Sequence, residues 1–215
     1  MTASAVLTLV ALSVLPLLLM TATSFVKLAV VFSLLRNALG APDVPSGAIV
    51  TVLAAILSLY VMAPVATAIA PRVTAHAEAI DLEAPFAGAS RSALLAAFEA
   101  GKAPLVAFLS RNAGGAERAL FVRLGQRAQP LVLGEADLLV ALPAFLITEL
   151  KEAFQIGLLV LLPFVVIDLV VANVLLALGM STLAPSAVAL PFKLLLFVLV
   201  DGWYVLSEAL VRGYA

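Results

Sequence analysis

Asp168, Lys193 and Asp201 are ionisable residues set inside or at the edge of otherwise apolar runs. A charge at mid-bilayer costs about 2.5–3.5 kcal/mol even on insertion scales, so such a residue takes a partner or faces water. Asp168 and Lys193 lie on opposite sides of a short break at 180–186, which puts an ion pair within or between subunits in reach. A proton or ion path is the alternative chemistry, and only these three groups would serve it. Snorkelling of an isolated side chain is the third reading. Met180-Ser181-Thr182-Leu183 forms the break itself. Methionine is long, unbranched and polarizable, and it conforms to irregular gaps. Repeated around an axis, such a loop could seal a pore and yield when something passes, since apolar constrictions gate by dewetting. The plainer reading of Met180 is core packing in a tight turn.

The elements that must position these residues are hydrophobic. Of 215 residues, 64% are hydrophobic and 12% charged, against about 45–50% and 25% in soluble domains. A disordered chain is excluded. The net charge of -1 supplies no basic field, so nucleic acid is not an expected partner. Cysteine is absent, which removes disulfides, thiolate chemistry and Cys-based metal sites. No cofactor, metal or catalytic set is expected: there is no Gly-rich phosphate loop, no nucleophile with a base and no metal-ligand spacing. The single histidine, His76, has neither Cys nor a second His to join it and reads as a solvated or loop histidine.

Three segments follow from the charge pattern. Residues 1–71 form an N-terminal hydrophobic hairpin. Ala5–Phe25 is long enough to span a bilayer, with Pro16 as a kink, and Val44–Pro71 is a second charge-free run interrupted by Pro64. No Lys or Arg precedes the first run, so it reads as a retained span and not as a signal peptide. Between the two, Lys27 to Asp43 reads as a linker, a continued helix with Leu28, Val31, Phe32 and Leu35 at helical spacing. Gly40 stops it and Pro42 follows. Lys27 and Arg36 make this loop the cytoplasmic one, with the termini on the other side. Residues 72–137 balance basic against acidic residues and read as short helices outside the bilayer, one capped by Ser90, one beginning at Pro104, one following the Gly114-Gly115 turn. Residues 138–215 form the second hydrophobic hairpin. A charged patch at Glu149, Lys151 and Glu152 precedes a span at 154–179 containing Pro163. Gly179 closes that span, Pro185 and Pro191 interrupt the next, and a fourth span covers 187–206. In lipid a broken backbone survives only where it is buried in protein or lines a cavity, so the break at 180–186 faces protein or a pore. The expected fold is all-α: four long kinked helices in two hairpins with a small helical middle domain, one subunit of a helical pore assembly.

Four blocks of sequence carry a resemblance. They are Thr23-Ser24-Phe25 with LLRNALG at 34–40; Pro143-Ala144-Phe145 with Glu149-Leu150-Lys151 and AFQIG at 153–157; Pro163-Phe164 with Ile167-Asp168-Leu169-Val170; and Ala177-Leu178-Gly179-Met180, then Leu190-Pro191-Phe192-Lys193 and LFVLVDGW at 196–203. In these the chain resembles the SctR/FliP family, the export-gate proteins of type III secretion systems and of the flagellum. The resemblance implies a non-enzymatic, pore-forming subunit of a bacterial inner-membrane export gate that passes unfolded substrates. It implies five copies joined to SctS- and SctT-type subunits, near the SctU- and SctV-type export components, with the assembled gate raised toward the periplasm. Asp168, Lys193 and Asp201 would then be buried or inter-subunit charges. The family's methionine-rich gasket loop maps onto Met180, Ser181 and Thr182, with Leu183 beside them. Flagellar members commonly carry a run of methionines there, a longer N-terminus and a cleavable signal peptide. Here Met180 stands alone in the loop and no signal is evident, which favours the injectisome branch over a flagellar homologue. A small ion or solute transporter using Asp168 is the alternative from another class. The hairpins 5–71 and 154–206 show no obvious repeat relationship, and inverted repeats are the usual mark of such transporters. A pure assembly scaffold without a pore is the third.

Overall fold

The computed structural model describes residues 13, 20–41, 45–77, 88–128, 134–135, 137–180 and 182–214. Among these, every regular element is an α-helix, as the sequence leads one to expect. The helices are α1 (Phe25–Leu39), α2 (Gly47–Ala77), α3 (Gly88–Asn112), α4 (Gly115–Ala128), α5 (Leu138–Ala177), α6 (Pro185–Leu199) and α7 (Gly202–Arg212). Most of the expected span at 5–25, with its Pro16 kink, lies outside the described residues. By length and apolar composition, α2 over Gly47–His76, α3 over Ser90–Asn112 and α5 over Leu138–Ala177 could each cross a membrane; α6 with α7 makes a fourth candidate, bent by 59°.

The chain divides into two compact units. One holds Phe25–Leu59 and Leu150–Ala215, the other Met1–Ser24 and Tyr60–Glu149. In the first, the stretch read from sequence as a linker is the middle of the core. Leu28, Val31, Phe32 and Leu35 of α1 are completely buried. Their spacing forms one helical stripe of the usual amphipathic width. Val50 and Ala54 of α2, Ala153 and Phe164 of α5, Phe197 of α6, and Leu206 and Leu210 of α7 close around it. The expected stop is present at Gly40, whose N–H donates to the Asn37 carbonyl at 3.1 Å with φ +74°.

The LFVLVDGW block now has a physical account. Asp201 adopts a left-handed conformation (φ 52°, ψ 49°) and separates α6 from α7. Gly202 follows because a side chain there would run into the ring of Phe197. With the glycine in place, Trp203 meets Phe197 edge-on at 5.1 Å and reaches Phe32 at 6.2 Å. Edge-to-face pairs of this kind add about 0.5–1.5 kcal/mol beyond their buried area. Gly202→Ala is therefore expected to displace Phe197 and cost about 1–3 kcal/mol, the usual range for overpacking. Trp203 is the chain's one tryptophan, so its emission during unfolding in detergent reads the change directly. Unaltered Trp203 emission and stability in Gly202→Ala would refute this packing.

In the second unit, α3 runs unbroken through Pro104, where the sequence suggested a new helix. Proline forfeits one backbone bond there, yet residues on both sides of it are buried: Ala93 and Ala97 before it, Val106, Phe108 and Leu109 after it, on a different side of the helix. Burial on both sides of Pro104 outweighs the single missing bond. Phe108 packs on Phe145 of α5 at 5.7 Å. The Gly114–Gly115 turn is as expected, ending α3 and starting α4. Its Gly114 N–H donates to Thr148 Oγ1 at 2.8 Å, and that hydroxyl donates to the Ala144 carbonyl at 2.8 Å. Thr148 thus fastens the turn to α5.

Candidate gate loop and buried charge cluster

Residue types at the end of α5 dictate how the loop is made. Gly179, at φ +70°, takes the left-handed conformation that a Cβ penalises. Its N–H donates to the Leu176 carbonyl at 3.0 Å, and the Met180 N–H donates to the Leu175 carbonyl at 2.9 Å. This bond pair is a Schellman motif, which satisfies carbonyls that the helix end would leave bare. The chain turns, Leu183 N–H reaches the Met180 carbonyl at 3.4 Å, and Pro185 opens α6 where its missing N–H costs nothing. Met180 and Leu183 are each 43% exposed, and Thr182 is exposed as well. Ser181 lies outside the described residues. Two exposed apolar side chains, Met180 and Leu183, therefore flank the exposed Thr182 on a defined turn.

The arms behind the tip are joined by charge. Ala189, Lys193 and Phe197 are the buried residues of α6, spaced by four. This places Lys193 in the stripe that packs against α1. Its ammonium donates to Asp168 Oδ2 at 2.6 Å and to the Ala38 carbonyl at 3.1 Å. The lysine side chain is 7% exposed and the aspartate 41%. Ala38 belongs to the last turn of α1, where carbonyls have no helical partner and the helix dipole favours a cation. One ammonium thus caps α1 and ties α5 to α6. At a rise of 1.5 Å per residue, the pair sits roughly 12–16 Å along the arms from the loop. Asp168 and Lys193 are accordingly brought together within one chain. Asp201 is not brought to them; it is exposed at the α6–α7 bend.

A second charged contact escaped the sequence reading. Lys27, counted there as a loop charge, is buried in the first turn of α1. It pairs with Glu152 of α5 at 2.6 Å, and its ammonium lies 4.2 Å from the centre of the Tyr214 ring. The available signal was its position four residues before Val31, on the apolar stripe. Lys27→Met is expected to free the C-terminal turn around Tyr214 with a loss of about 1 kcal/mol, because Glu152 is half-exposed and the cation–π contact is worth about 0.5–2 kcal/mol. Faster hydrogen exchange at 211–214, with the α1 core unchanged, is the expected signature; unchanged exchange there would dismiss the contact.

The comparisons with known proteins agree in direction. The profile of the FliP family matches residues 8–210. The chain belongs to the FliP family. It is 43% identical over 216 residues to the hypersensitivity response secretion protein HrcR of Ralstonia nicotianae, covering 99% of this chain and 97% of that protein. It is 45% identical over 207 residues to the Yop proteins translocation protein R of Yersinia pestis, covering 94% and 92%. The flagellar biosynthetic protein FliP of Caulobacter vibrioides is 40% identical over 208 residues, covering 94% of this chain and 73% of that protein. FliP-family chains are structural components of secretion apparatus and not enzymes. With its long apolar helices, this chain is a membrane protein and part of a multi-subunit type III secretion export complex.

Proposed function

We propose that this chain is a pore-forming subunit of an injectisome-type export gate in the bacterial inner membrane, and that residues 180–183 form its seal. The observation that carries the reading is the α5–α6 hairpin. Its tip presents Met180 and Leu183, the turn is fixed by the Schellman bonds, and its arms are clasped by Asp168 and Lys193. A tip that must close a pore needs both features: a deformable side chain and a rigid mount. Phe154, Leu158, Leu162, Leu169, Phe192 and Leu195 leave the outer sides of the arms apolar and exposed in the single chain. Such surfaces suit neighbouring copies or lipid. Five copies with SctS- and SctT-type subunits, close to SctU- and SctV-type components, would cover them in a gate raised toward the periplasm. In that assembly the segments 1–71, 72–137 and 138–215 act as hairpin, periplasmic domain and gate hairpin, and unfolded secretion substrates pass through.

The engagement of Asp168 by Lys193 favours a structural pair over a proton path, and so counts against the small-transporter reading. The test is made on the complex co-expressed with its SctS- and SctT-type partners. A discrete multi-subunit species in native mass spectrometry is expected, and a photo-cross-linker at Leu183 is expected to capture a stalled substrate. A complex whose Leu183 captures none would return the chain to a scaffold role. In the same complex Met180→Ala is expected to raise small-ion leakage severalfold without loss of subunits, since an apolar constriction widened by a few ångströms rewets. Unchanged leakage from an intact complex would remove Met180 from the seal.

A further inference from the structure

Proline stands inside α2 twice, and each time a threonine follows three residues on: Pro64 with Thr67, and Pro71 with Thr74. Pro64 has no N–H for the Tyr60 carbonyl, and Pro71 has none for the Thr67 carbonyl, so the helix lacks two backbone bonds in succession. The threonines add to this. Thr67 Oγ1 donates to the Pro64 carbonyl at 2.9 Å, and Thr74 Oγ1 to the Ala70 carbonyl at 3.0 Å and the Pro71 carbonyl at 3.2 Å. Hydroxyls bonded back onto the preceding turn weaken and bend helices. Tyr60, Pro64, Thr67, Pro71 and Thr74 alternate steps of four and three, so they share one side of α2, and all five are exposed. The deficits therefore add along one side and soften bending in one direction.

Packing does not make up the loss. Val50 and Ala54 fix the first half of α2 in the core around α1, but no residue from Leu59 to His76 is buried. Ile69 and Val73 lie beside Gly101 of α3 and stay half-buried. What keeps this half helical is alanine, the best helix former, at 63, 66, 68, 70 and 75. A helix held largely by propensity is marginal, since most helical stability in proteins comes from packing. The change falls between Leu59 and Tyr60, where the chain passes from the first unit to the second. The chain also passes between the units at the turn before α1 and, inside a helix again, at Glu149–Leu150 of α5. That passage in α5 is built differently. Ala141, Ala144, Phe145, Thr148, Glu149 and Ala153 are buried across it, and no proline lies between Pro143 and Pro163.

We propose that residues 60–74 of α2 are a compliant joint between the two units, and that α5 is the stiff connection. Movement of the second unit is taken up in α2, without loading the Val50 and Ala54 contacts that hold α1. The same movement is passed along α5, which runs unbroken from Leu138 to Ala177, where the turn to 180–183 begins. The joint rests on the two-unit division and on the prolines, and not on residues 180–183 sealing a pore.

The test compares the full chain in mild detergent with its Pro64→Ala/Pro71→Ala variant, which restores both N–H donors and removes no buried side chain. In the native chain, hydrogen exchange at 65–75 is expected to be on the order of tenfold faster than at 144–153. In the variant it is expected to slow by on the order of tenfold, with 144–153 unchanged. Equal exchange at the two passages would overturn the proposal, and so would fast exchange at 65–75 that the variant leaves as it was. Because the chain has no cysteine, spin labels on Val52→Cys/Ala75→Cys read the bending itself. A broad distance distribution that narrows when both prolines are replaced is expected. One of the same width with and without the prolines would refute the joint independently.

Discussion

Asp168→Leu is expected to destabilise the hairpin by roughly 3 kcal/mol and to deplete the assembled complex. Removing one member of a buried ion pair costs about 3–5 kcal/mol, because the other charge is left desolvated. The lower end applies because Asp168 is itself 41% exposed and part of its interaction is screened. The stranded group is Lys193, which would keep only the Ala38 carbonyl. Lys193→Met should cost less, since the aspartate it leaves is 41% exposed overall, although its Oδ1 is buried. The double variant Asp168→Leu/Lys193→Met replaces the pair with apolar side chains of similar size, an exchange often close to neutral. It still lacks the donor to Ala38, so a shortfall of about 0.5–1.5 kcal/mol should remain. The measurements are unfolding in detergent followed through Trp203, and the yield of complex by native mass spectrometry. Additive losses in the double variant would mean that the two side chains do not interact. Full assembly of Asp168→Leu with abolished secretion would instead assign the carboxylate to proton or ion movement.

That pair was legible as a pair because each charge interrupts an otherwise apolar run on its own side of the break. What the sequence did not contain was the third partner. The Ala38 carbonyl has no side-chain signature, and its need for a donor arises only because α1 ends there. The loop was legible in part for the same reason: Gly179 and Pro185 are turn chemistry read residue by residue, while the Schellman bonds follow once the helix is known to end at Ala177. The aromatic contacts of Trp203 with Phe197 and Phe32 depend on the bend at Asp201. Asp201-Gly202 is a turn pair, but the apolar runs on both sides of it made LFVLVDGW read as one continuous span. Pro104 misled in the opposite sense. It looked like a helix start, and burial on both sides of it carried α3 straight through.

Lys27 to Asp43 shows the larger difference. Charges at Lys27 and Arg36 and a glycine-then-proline ending made it a linker between two spans, a continued helix ending in a tight turn, with its apolar residues at helical spacing. Hydropathy ranks segments by how apolar they are overall, and α1 is less apolar than α2 or α5. Burial depends on which elements surround a segment, and α1 is surrounded by four of them. Centrality of this kind predicts the cost of truncating it. Phe32 is completely buried and touches the Trp203 ring, so Phe32→Ala is expected to cost about 3–5 kcal/mol, the range for deleting a buried aromatic ring in a packed core. Tyr60, 70% exposed at the middle of α2, is the matched control: Tyr60→Ala should cost under about 1 kcal/mol in detergent. Unfolding followed through Trp203 should show an early transition only in the first variant, along with a shift of emission in its folded state. Equal stabilities for the two would mean that α1 is a peripheral linker after all and that the core lies among the longer helices. A large loss at Phe32 alone places the stability of the hairpin, and with it the mount of residues 180–183, in a helix that hydropathy assigns to no span.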